Sequence, residues 1–138
     1  MRKKSPVTDI VRKTTITAQS TDRLSRVYQL MKNHALAHVT IMEQSEIVGI
    51  ISRKTIKQLA FGYEFNEGDG IEMGIFDMLQ AGQVMERGTP HIPLSATVED
   101  VAELMAVSAF AALPTVHEGK PVGFVDINDL VLFLLNTR

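Results

Sequence analysis

A shift of 74 positions lays residues 10–61 over residues 84–135 without a gap, so this chain must build the same small structure twice. Val27, Leu30, Met31, Ala35, Ala37, Val48 and Gly49 recur as Val101, Leu104, Met105, Ala109, Ala111, Val122 and Gly123. Apolar character persists where identity does not: Ile10 stands over Val84, Leu24 over Val98, Val39 over Leu113 and Ile51 over Val125. Chance supplies a few identities, but rarely a register in which the apolar positions agree throughout.

Each copy reads as strand, helix, strand, strand, helix. In the first, Thr14–Ala18 is β-prone and Ser20, Thr21 and Asp22 mark a helix start. Leu24, Val27, Tyr28, Leu30 and Met31 follow at helical spacing, and Asn33 with His34 suits the helix end. Two β-branched runs, His38–Met42 and Glu46–Ile51, flank a turn at Glu43, Gln44 and Ser45, and Ser52 opens the closing helix. The second copy repeats this with strands at His91–Leu94, Leu113–His117 and Pro121–Val125, a helix led by Ser95-Ala96-Thr97, and a last helix opened by Asp126. The glycine- and acid-rich GYEFNEGDGIEMG at 62–74 reads as a loop or linker, and no lysine-serine or lysine-threonine pair follows it to make a phosphate loop. A unit of about 50 residues buries little core alone, so the two copies are expected to pack as an α+β pair about a pseudo-two-fold axis, with a cleft between them.

Composition narrows the function classes. Hydrophobic residues make up 45% and charged residues 22%, the balance of a soluble globular protein. A net charge of −2 gives no basic field for nucleic acid, and Arg2, Lys3 and Lys4 read as a solvated start. There is no cysteine for a disulfide or thiolate metal site, and no apolar run near the ~18–20 residues of a membrane span. A cytoplasmic location is expected. His34 and His38 are four apart, but the helix should end between them and no third ligand is evident, so no metal is expected. No nucleophile is paired with a base, so no enzyme is expected.

The polar chemistry sits where strand turns into helix. Gly49-Ile50-Ile51-Ser52 and Gly123-Phe124-Val125-Asp126 each run straight into a helix start, with Thr55 and Asp129 three residues further on. The plain reading is a capped helix, since Ser or Asp at this position accepts a free backbone amide and an acid in the first turn complements the dipole. The same physics suits a nucleotide. A helix start attracts phosphate, and a carboxylate one turn in accepts both ribose hydroxyls, with bonds to charge worth about 1.5–3 kcal/mol each.

The doubled unit, the segments LMKNHALAHVTIM and LMAVSAFAALPTV, and the G-h-x-(S/T)-x-x-D turn (h apolar) together resemble a tandem pair of cystathionine-β-synthase (CBS) domains. The resemblance runs from about Val7 to Leu135 and gives repeats at 7–61 and 81–138 with a linker at 62–80. It implies a regulatory module, and many such pairs bind AMP, ADP, ATP or S-adenosylmethionine in the cleft. The motif hydroxyl then contacts phosphate, the motif Asp holds ribose, and adenine lies against the first and second strands. Here neither copy is complete: Asp129 keeps the ribose acceptor but Asp126 replaces the hydroxyl, whereas Ser52 keeps the hydroxyl but Thr55 replaces the acid. A carboxylate ~4 Å from a phosphate costs ~4 kcal/mol at an effective dielectric of ~20. The Asp129 site is therefore expected to suit an adenosyl group with a neutral or positive tail, or a phosphate held farther off, and the Thr55 site to be weak or empty.

The resemblance also implies lesser contacts. Thr89, His91 and Ile92 would line the Asp129 pocket, Leu113 and Pro114 would wall it, and His38 would face ligand phosphates; ordinary strand packing and a half-buried histidine are the plainer readings. The run LVLFLL at Leu130–Leu135 is apolar through more than a turn and needs cover on every side, which at the end of this chain predicts a homodimer contact. The expected function is a sensor of an adenosyl ligand acting on a separate protein partner; the competing reading is a ligand-free module for dimerisation or protein interaction, which Asp126 and Thr55 favour.

Overall fold

A tight hairpin forms in each copy, because two β-branched runs are separated by only two residues that leave the ladder. The computed structural model describes residues 4–61 and 70–136. A 3-10 turn, Val7–Asp9, and β1 (Arg12–Lys13) come first. The first copy then gives β2 (Thr17–Gln19), α1 (Leu24–His34), β3 (His38–Glu43), β4 (Glu46–Ser52) and α2 (Arg53–Phe61). After it come α3 (Gly70–Met78), α4 (Ala81–Val84) and β5 (Glu86–Arg87). The second copy gives β6 (Ile92–Pro93), α5 (Val98–Ser108), β7 (Ala112–His117), β8 (Lys120–Asp126) and α6 (Ile127–Asn136). The class is α+β, as the pattern predicts, with two four-stranded sheets ordered β2-β3-β4-β5 and β1-β8-β7-β6. The strand that opens each copy, β2 or β6, lies parallel to its hairpin, and the edge strand on the other side, β5 or β1, lies antiparallel.

The chain divides into two compact units, and they exchange their leading segments. One unit is residues 16–88; the other joins the residues up to Thr15 to those from Thr89 onward. The packing units thus cross the sequence repeats, since residues 7–15 lie with the second copy and residues 81–88 with the first. The exchange is reciprocal down to single hydrogen bonds. The Val7 amide donates to the Ala96 carbonyl at 2.9 Å, as the Ala81 amide does to Asp22 at 2.8 Å. The Val98 amide donates to Ser5 and the Leu24 amide to Leu79, both at 2.8 Å.

The recurring glycine explains how the exchanged strand fits. β1 lies on β8 with Lys13 opposite Gly123, and β5 lies on β4 with Arg87 opposite Gly49. A Cβ on Gly123 would stand 2.4 Å from the Arg12 carbonyl oxygen, and one on Gly49 2.5 Å from that of Glu86. Only a residue without a side chain admits the edge backbone so closely. Recurring alanines have a local cause as well. Ala35 and Ala109 end α1 and α5 in the left-handed region, returning their amides to the carbonyls of Met31 and Met105.

The core of the second unit gathers Val7 and Ile10 from the leading segment with Ile92, Val98, Val101, Met105, Leu113, Val125 and Leu130. In the first, Leu24, Val27, Met31, Val39, Ile41, Ile51 and Ile56 are buried. One expectation fails here: the stretch 62–74, read as a loop or linker, is helical from Gly70 in a helix that runs on to Met78, while residues 62–69 lie outside the described residues. The helix is anchored by Phe76, fully buried and edge-on to Tyr28 with ring centroids 5.4 Å apart. Also, α1 starts at Leu24 behind Arg23 rather than being capped by Asp22, whose carboxylate instead accepts the Gln19 amide at 2.8 Å. The closing helices are capped as predicted. Asp126 Oδ1 accepts the amide of Asp129 at 2.9 Å, and Ser52 Oγ accepts that of Thr55 at 3.0 Å.

Two substitutions check these causes by thermal or denaturant unfolding. Gly123→Ala is expected to lose about 1–3 kcal/mol and to expose the Thr14 amide, which bonds the Val122 carbonyl at 3.1 Å, to hydrogen exchange. Gly74→Ala, in the middle of α3 with nothing within 4 Å of the new Cβ, serves as the control and is expected to gain about 0.5–1 kcal/mol, not to lose any. Asp126→Ala is expected to lose ~1 kcal/mol of capping that Asp126→Ser largely restores.

Candidate functional site

Asp129 stands in the first turn of α6, and the leading segment of the chain crosses it. Arg12, brought alongside by the pairing of β1 with β8, places Nη2 3.1 Å from Asp129 Oδ1. The Asp129 side chain is 16% exposed and that of Arg12 51%. Asp129 Oδ2 is buried and has no hydrogen-bond partner. Leaving a buried carboxylate oxygen without a donor is costly, so this is an acceptor that a ligand hydroxyl would satisfy. A cavity of about 440 Å³ adjoins it, lined by Asp9, Ile10, Val11, Arg12, Asp129, Leu132, Phe133 and Asn136. That volume lies within the ~300–1,000 Å³ of typical small-molecule sites. The lining pairs an apolar wall with two carboxylates and one guanidinium.

Two amides at the start of α6 are already taken by acceptors of the same unit. Its Ile127 amide donates to the Ala111 carbonyl at 2.8 Å, and its Asp129 amide is taken by Asp126. Asp126 is buried, so a carboxylate stands where an incoming phosphate would seek the helix start. In the first unit, Ser52 makes the corresponding cap without charge and donates to Thr55 Oγ1 at 2.8 Å, while the Arg53 amide donates to Ala37 at 2.8 Å. His38 begins β3 directly opposite Ser52 in the ladder, so these two expected residues do come together.

The other residues named from the sequence fall elsewhere. Ile92 and Leu113 belong to the core cluster of the second unit and do not line the Asp129 cavity. Pro114 is buried opposite Phe124, Thr89 is buried, and His91 is exposed. What the sequence reading missed is the wall contributed by Asp9–Arg12, together with Leu132, Phe133 and Asn136 of α6. Spacing along α6 from Asp129 (three, four and seven residues on) would have found the last three; nothing in the sequence couples Arg12 to Asp129. Among the described residues, no group of three or more His, Asp or Glu side chains is placed to hold a metal, and no helix is long and apolar enough to cross a membrane.

Comparison with known proteins agrees with this fold. A CBS domain from Sphaerobacter thermophilus, part of a CBS domain containing membrane protein, is 22% identical, with a TM-score of 0.75 over 95% of this chain and 88% of that one. CBSX2, solved in complex with AMP, is 18% identical, with a TM-score of 0.66 over 96% of this chain and 97% of that one. The CBS domain of a bacterial CNNM/CorC family Mg2+ transporter is 15% identical, with a TM-score of 0.72 over 99% and 79%. At these identities the likeness is one of fold. The family model for the CBS domain matches residues 7–62 and again 81–136. The chain therefore belongs to the CBS domain family, as a tandem pair of the kind that serves as a regulatory module.

Proposed function

We infer that this CBS pair is a cytoplasmic sensor that binds an adenosyl ligand through its second repeat and acts on a separate protein partner. The observation that carries the reading is Asp129: a buried carboxylate oxygen without a donor, beside a cavity of about 440 Å³ with an apolar wall. Asp129 is the ribose acceptor, and Ile10, Leu132 and Phe133 offer the apolar surface. The AMP bound by CBSX2 supports the ligand class, which includes AMP, ADP, ATP and S-adenosylmethionine. Asp126 and Asp9 beside the site favour members whose tail is neutral or positive, so S-adenosylmethionine ranks ahead of the phosphorylated ligands. Thermal melting against each of the four tests this. A ligand at ~100 times its dissociation constant adds ~2.7 kcal/mol of stability, and Asp129→Ala should abolish that shift. An unchanged shift in Asp129→Ala would place the ligand elsewhere.

A ligand-free dimerisation or protein-interaction module is the second reading, favoured by the outer face of α6. Leu130 is buried and Phe133 packs on the core, but Ile127, Val131, Leu134 and Leu135 are exposed along one stripe. In the first unit, the matching helix α2 exposes Lys54 and Lys57 instead. Pairing α6 with α2 of a second copy would set lysines against an apolar stripe, whereas α6 on α6 brings like surfaces together. A homodimer through α6 is therefore part of the proposal under either reading. Sedimentation should give a dimer that Val131→Lys converts to monomer; a monomeric wild type at micromolar concentration would contradict it.

A further inference from the structure

We propose that Arg12 is an internal competitor for the ribose acceptor Asp129, so that ligand binding loosens strand β1 from the second unit. The proposal rests on the reading of Asp129 as a ligand acceptor and adds a regulatory contact to it. A ribose offers two adjacent hydroxyls, and a carboxylate receives them best with both oxygens free. Neither oxygen of Asp129 is presented in that way. Oδ1 carries Arg12 at 3.1 Å, and Oδ2 is shielded from solvent without any donor. The segment that supplies Arg12 also forms one wall of the adjoining cavity, through Ile10 and Val11. A ligand entering that cavity toward Asp129 must therefore displace the guanidinium.

The attachment of β1 itself is slight, while Val7 and Ile10 hold the residues before it in the core. β1 is two residues long, pairs only with β8 at the edge of its sheet, and is followed by one further backbone bond from Thr14 to Val122. Its approach depends on the bare α-carbon of Gly123. The Arg12–Asp129 pair has its guanidinium half exposed to water, and such a pair is weak enough for a ligand to outcompete. Freed from Asp129, the strand loses this charged tie and keeps its backbone pairing with β8. Occupancy at the carboxylate and attachment of β1 thus become linked, and by reciprocity whatever captures that strand raises ligand affinity.

The test compares full-length wild type with Arg12→Gln. Without ligand, hydrogen exchange at the Thr14 amide should quicken in Arg12→Gln by about two- to fivefold, the reach of a partly exposed ion pair. Calorimetric titration with adenosine, which brings the diol without phosphate, should show about two- to fivefold tighter binding to Arg12→Gln. Rising sodium chloride should strengthen adenosine binding to wild type, because it screens the competing pair, and leave Arg12→Gln unaffected. Unchanged Thr14 exchange overturns the latch whatever the ligand does. Quickened exchange with equal or weaker adenosine binding makes Arg12 a ligand contact and overturns the competition. Quickened exchange with adenosine binding to neither protein overturns the adenosyl reading itself, and the competition with it.

Discussion

A strand that can approach only a glycine holds each unit together. The hairpins β3-β4 and β7-β8 are ordinary consequences of β-branched sequence, but each sheet is finished by an edge strand from the segment that leads into the other repeat. That strand lies so close to Gly49 or Gly123 that an added methyl group would enter its carbonyl oxygen. Everything on the outer side of Asp129 follows from this approach. It brings Val7 and Ile10 into the core of the second unit, sets Ile10 and Val11 along the cavity, and delivers Arg12 to the carboxylate. The position that looks least chemical in the motif therefore decides what the most chemical one meets.

The two repeats keep one hydrogen-bond pattern and change its charge. In both, the residue ending the strand accepts the amide three residues on, and the first helical amide returns to the carbonyl before the hairpin. Ser52 does so as a neutral hydroxyl, and Asp126 as a buried carboxylate. The fold tolerates either, because a cap needs only an acceptor. A ligand does not, since a carboxylate repels phosphate where a hydroxyl would donate to it. Divergence at a capping position is thus cheap for stability, while it changes the charge that a ligand would meet.

Much of the architecture was legible because it is written in apolar periodicity. The offset of 74 residues, the two hairpins and the closing helices all show in the sequence, and their ends fall within a few residues of the observed elements. The helix at Gly70–Met78 was not legible, because glycine and acid on its near side mask the one residue, Phe76, that anchors it. Nor was the exchange of leading segments, since a two-residue edge strand carries no periodicity, and the partner of β1 lies more than a hundred residues away. The site divides along the same line. Asp126 and Asp129 are local to one turn and could be read, whereas Ile92 and Leu113, apolar on a strand, read equally as pocket or core and lie in the core. Arg12 could be placed only once the strand carrying it had been placed.

The central claim is that Asp129 and the cavity beside it receive an adenosyl ligand. The most direct measurement is an amide NMR titration of the full chain with S-adenosylmethionine, read residue by residue. The account predicts saturable shifts concentrated at Asp129, Leu132 and Phe133 and in the leading segment from Asp9 to Lys13. Shifts centred on Ser52 and Thr55 instead, or none at all, would contradict it.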